Sequence, residues 1–80
     1  MSPTAVVQLA GQRPELVRHP LDGRVIAFDR ADDAFAFAVS LEIKGTASAG
    51  TVAVPAGEEV HVLDPGVTVF DLPAAMEQAA

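Results

Sequence analysis

His61 is the residue of this chain best placed for metal or proton chemistry. Glu59 stands two positions before it, on the same face if the segment is extended, and Asp64 follows closely. Two ligands at i and i+2, completed by a third from elsewhere, would suit zinc. The other histidine, His19, lies in a different segment, and no further His or Glu spacing supports the set. A solvated strand histidine is therefore expected at 61, and no metal or cofactor site.

The remaining candidates are weaker. Asp29, Asp32 and Asp33 fall in one short connection, as the carboxylates of a calcium loop would, but without the alternating spacing and the later bidentate Glu that such loops need. Aspartates that bond their own backbone in a turn explain them better. Gly45 to Gly50, GTASAG, is small enough to cradle a phosphate, yet no Gly-Lys-Ser/Thr follows it and no helix is expected behind it. Ser40 and Ser48 have no nucleophile-elbow context and no histidine placed to activate them. No catalytic residue is expected, and the chain is not expected to be an enzyme.

The element around which such residues must be positioned is Ala34 to Lys44, AFAFAVSLEIK. Phe35, Phe37, Val39, Leu41 and Ile43 alternate with smaller or polar residues, and that period of two predicts a strand with one large apolar face. Together with Ile26 and Phe28 of RVIAFDR, those five residues are the expected core. The opposite face, Ala36, Ala38 and Ser40, is small enough for another sheet or subunit to approach closely, and is the expected interface. The window AFAFAVSL has neither charge nor proline and would be aggregation-prone at an exposed edge, so the strand is expected to be interior.

Around it, Thr4 to Leu9 reads as a strand behind Pro3. Glu15 to His19 and Arg24 to Arg30 read as a hairpin reversing at Pro20-Leu21-Asp22-Gly23. Thr51 to Val54, Glu58 to Leu63 and Val67 to Leu72 read as three short strands separated by Pro-Gly punctuation. Residues 73–80 form a short helical or frayed tail. The fold class expected is all-β: one domain over residues 1–80, a small antiparallel roll, sandwich or barrel of six to seven short strands with a short C-terminal helix.

Composition narrows the function classes. There is no cysteine, so neither a disulfide framework nor a thiolate site is possible. Half of the residues are hydrophobic and mean hydropathy is +0.32, with no tryptophan or tyrosine. For so small a chain that implies apolar surface left over after folding, and hence a partner. The formal charge of −6 is uneven: residues 1–30 are net +1 and residues 31–80 net −7. That balance, with so few aromatics, argues against nucleic acid. No apolar stretch reaches the ~20 residues of a membrane span and no signal segment is visible, so the protein is expected in the cytoplasm or in a particle assembled there. The expected function is a non-catalytic assembly module that binds itself or seats on a larger protein assembly, such as a virion. The alternative is a monomeric domain that binds a small ligand or a regulatory protein.

Overall fold

The computed structural model describes residues 3–11, 13–45 and 48–72. Five strands, β1 (Thr4–Ala10), β2 (Arg13–Leu16), β3 (Val25–Phe28), β4 (Ala49–Ala53) and β5 (Val60–Val62), form one sheet, and a single helix, α1 (Ala31–Lys44), lies between β3 and β4 in the chain. A 3₁₀ turn, Val69–Asp71, follows. The all-β class expected from the sequence is therefore wrong. This is a small mixed α/β domain whose sheet holds both parallel and antiparallel pairs.

The error lies in Ala34 to Lys44, which is helical. Its buried residues include Ala34, Phe37, Ala38 and Leu41, spaced i, i+3, i+4 and i+7. Phe35 and Ile43, placed in the expected core, are 62% and 71% exposed, and Val39 is half-buried. Phe37, Leu41, Ile26 and Phe28 are buried. Of the expected interface, Ala38 and Ser40 are buried and only Ala36 is exposed, so those three residues do not share a surface. Large residues on the outer face imitate a period of two, while local physics favours a helix. Alanine is a strong helix former and poor in strands. Asp32 and Asp33 complement the positive end of the helix, and Lys44 the negative end. Gly45, at φ 85°, ends it in the left-handed conformation that a side chain resists.

Other segments also depart from expectation. Asp29 to Asp33 does not make a hairpin loop but leads into the helix. Val67 to Leu72 is not a strand; there Asp71 Oδ2 accepts from the N–H and hydroxyl of Thr68, closing the 3₁₀ turn. The expected tail helix at 73–80 lies outside the described residues.

β1 organises the sheet. It pairs with β4 along one edge, antiparallel from Thr4↔Ala53 to Gln8↔Ala49. Its other edge is shared: β2 takes Val7 to Ala10, and β3 takes Thr4 and Ala5. β5 adds beyond β3 in parallel, with Val25↔Val60, Ile26↔His61 and Ala27↔Val62. Paired residues project to the same face, so the registers sort the side chains. On one face Val6, Val17, Ile26 and Phe28 meet Ala34, Phe37, Ala38 and Leu41 of α1, with Val69 closing the core. The Phe28 and Phe37 rings lie 5.7 Å apart at a tilt. Ser40 fastens the 3₁₀ turn to the helix: its Oγ donates to Phe37 O at 2.6 Å and accepts from the Val69 N–H at 3.0 Å. No helix among the described residues is long and apolar enough to cross a membrane.

Candidate functional sites: an apolar sheet face and a histidine–aspartate cluster

Among the described residues no helix packs on the other face of the sheet, and it is built from apolar residues. Following the registers from β4 to β5 gives the row Val52, Ala5, Ala27, Val62. A second row is Gly50, Val7, Leu16, and Leu9 pairs with Pro14 beyond it. Val60 and Arg18 flank Val25 on the same face. Ala5, Val25 and Ala27 are inaccessible to solvent although they lie outside the helix-side core. The larger residues around them are not: Val52, Val62 and Leu9 are 39%, 42% and 45% exposed. A shallow groove of about 240 Å³, lined by Val7, Leu9, Ser48 and Gly50 among others, continues this face toward the end of β1.

Charge is nearly absent here. The charged side chain that the pairing puts on this face is Arg18, which donates to Glu58 Oε2 at 3.2 Å and to Gly23 O at 3.2 Å. On the exposed side of α1, Phe35 and Ile43 are instead interleaved with the carboxylates of Asp32 and Glu42.

The second feature is a cluster of His19, Asp22 and His61. The reversal at residues 20–23 is closed by the Gly23 N–H donating to His19 O at 2.8 Å, with Gly23 at φ 73°. This sets His19 and Asp22 at the two ends of one turn. The parallel pairing of β3 with β5 then places His61 beside Ile26 and against that turn. The imidazoles of His19 and His61 stack, with centroids 4.1 Å apart and planes within 10°. His61 Nδ1–H donates to Asp22 Oδ2 at 2.7 Å. His19 Nδ1 accepts from the Leu21 N–H at 3.2 Å, which puts the proton of the neutral ring on Nε2.

Electrostatics follow from these contacts. Burial is the main cause lowering the pKa of His19, helped by the neighbouring His61 and opposed by Asp22. The Arg24 N–H, donating to Asp22 Oδ1 at 2.9 Å, is the first cause holding the Asp22 carboxyl below its ordinary value. His19 is thus kept neutral and Asp22 ionised around neutral pH.

The carboxylate that meets His61 is neither Glu59 nor Asp64. Glu59, 83% exposed, lies 3.7 Å from the Arg24 guanidinium. The partners are His19 and Asp22, roughly forty residues away in the chain, and no short spacing reveals them. Asp32 and Asp33 sit in the first turn of α1, away from any metal-like grouping, and Gly45 of the GTASAG segment caps the helix.

Compared with models of protein families, with curated proteins and with solved structures, the chain matches none.

Proposed function

We propose that this chain is a non-catalytic association module, and that the apolar sheet face opposite α1 is the surface by which two copies pair. The observation that carries this is Val52, Val62 and Leu9, which are 39%, 42% and 45% exposed on the sheet face opposite α1. They stand as apolar relief around Ala5, Val25 and Ala27, which are already closed to solvent. Such a surface suits sheet-on-sheet packing at about 10 Å.

A second copy is favoured as occupant by charge. Two chains of −6 repel unless they meet where charge is absent or already paired, and on this face Arg18 is paired with Glu58. Contact through the exposed side of α1 would instead bring Asp32 and Glu42 of both copies together. A concentration-dependent dimer follows. Among the described residues, the groove of about 240 Å³ is below the ~300 Å³ at which ligand pockets begin and lends the alternative of a small-ligand domain no support.

Val52→Lys with Val62→Lys tests the proposal. The exposure left on these residues, 39% and 42%, corresponds on completed burial to about 0.6–1.2 kcal/mol each. A two-fold pair contains four of them, about 2.5–5 kcal/mol, so the double variant should weaken pairing at least about fiftyfold. Sedimentation equilibrium from about 10 µM to 1 mM should show the wild type approaching twice its monomer mass and the variant remaining single. A wild-type monomer throughout, or undiminished pairing in the variant, overturns it. In the first of those cases, a larger protein assembly takes the second copy's place as occupant to be tested.

A further inference from the structure

We propose that His19, Asp22 and His61 form a binding site for a divalent transition-metal ion of the zinc class. One donor atom from each residue lies within 4.8 Å of the other two. An ion centred among three atoms no farther apart than that is at most 4.8/√3, about 2.8 Å, from each. By distance alone, bonds of about 2.0–2.1 Å ask each donor atom to close by at most about 0.7 Å; the ring directions ask for a rotation in addition. Asp22 sits in a turn and His61 is half-exposed, so both can move that far.

The donor types select the ion. Two imidazoles and one carboxylate suit zinc, nickel or copper, whereas calcium and magnesium need shells of oxygen. Three protein ligands leave a fourth position to water. The scaffold holds the set in place before an ion arrives: the Arg24 N–H orients the Asp22 carboxylate, the closed turn fixes His19 relative to Asp22, and the β3–β5 ladder fixes His61.

Binding has a definite local cost. Parallel imidazoles direct their lone pairs along parallel planes, so one ring must leave the stack. If His61 ligates through Nδ1, the neutral ring changes tautomer, carrying its proton on Nε2 instead of on the nitrogen that now donates to Asp22 Oδ2, and the ion takes that proton's place. If His19 ligates through Nδ1, the Leu21 N–H passes to water, which an exposed turn permits. In return the ion ties the turn at residues 20–23 to β5 and stabilises the fold by mass action.

The test uses the untagged full chain, because an affinity tag of histidines would itself bind the probe. With zinc chloride at about one hundred times its dissociation constant, the melting temperature should rise by about 10 °C or more. Magnesium chloride should leave it unchanged. His61→Gln and Asp22→Asn should each remove most of the zinc shift, their metal-free melts showing that they fold. The sequence contains two histidines, so their ring-proton NMR signals report the site directly. Both should move on zinc addition. Absence of a shift with zinc, movement of one ring alone, or an undiminished shift in both variants would overturn the site. Repeating the titration in the Val52→Lys, Val62→Lys chain separates it from dimer formation, since the shift should persist there.

Discussion

Phe35 and Phe37 are two residues apart, and a strand would make them equivalent. In α1 they are opposites. Phe37 is fully buried with its ring against Phe28, while Phe35 is 62% exposed. Truncating a buried phenylalanine to alanine costs about 3–5 kcal/mol, transfer and cavity together. Phe35 buries little more than a third of its surface, so Phe35→Ala should cost only about 0.5–1 kcal/mol. An 80-residue domain has about 4–12 kcal/mol to lose. At about 4–8 °C per kcal/mol, Phe35→Ala should lower the melting temperature by less than about 8 °C. Phe37→Ala should lower it by at least about 12 °C or leave the chain unfolded. Thermal and urea denaturation followed by circular dichroism measure both. Equal losses would refute the helical register and return the two rings to one face.

Ser40→Ala should cost about 1–2 kcal/mol, because the buried Val69 N–H loses its acceptor; an unchanged melting temperature would show that this bond contributes nothing. Stability should fall as pH drops below 6.5. The pKa of His19 is lowered by folding, so the unfolded chain takes up the proton first; its penalty is absent above 6.5 and grows as pH falls toward the folded value. Asp22 adds its own loss below 3.8, since its carboxyl is more acidic in the folded chain. Urea titrations between about pH 7.5 and pH 5 check the first of these, and His19→Gln should flatten the slope; the same slope in that variant would assign it to other groups.

What the sequence discloses of this fold is local. Asp22-Gly23 marks the reversal, and the Pro-Gly turns at 55–57 and 64–66 frame β5 because proline and glycine restrict the backbone wherever they stand. The helix was hidden by its own exposed side. Phe35, Val39 and Ile43 lie outward at helical spacing, and alternation with the buried Phe37 and Leu41 mimics a strand. The counter-signals were present in Asp32, Asp33, Lys44 and Gly45, which mark the two ends of a helix. The parallel β3–β5 pair had no comparable signature, because its register is set by how α1 and β4 cross between the strands. For that reason the cluster of His19 with Asp22 and His61 was illegible too. His61 stands out in its own segment, but nothing local points to His19 or Asp22 as its partners, and only the crossover brings the three together. The apolar sheet face opposite α1 likewise depends on which way β1 and β3 turn, which no local signal in the sequence records.

The pairing surface itself can be observed between copies. In a mixture of isotope-labelled and unlabelled chains near 1 mM, filtered NMR detects contacts that cross from one copy to another. Methyl contacts joining Val7, Val52, Val60 and Val62 of one copy to the same residues of the other are the expected result. Their absence, or contacts that run instead through Phe35 and Ile43 of α1, would contradict the assignment of the sheet face opposite α1 as the surface of association.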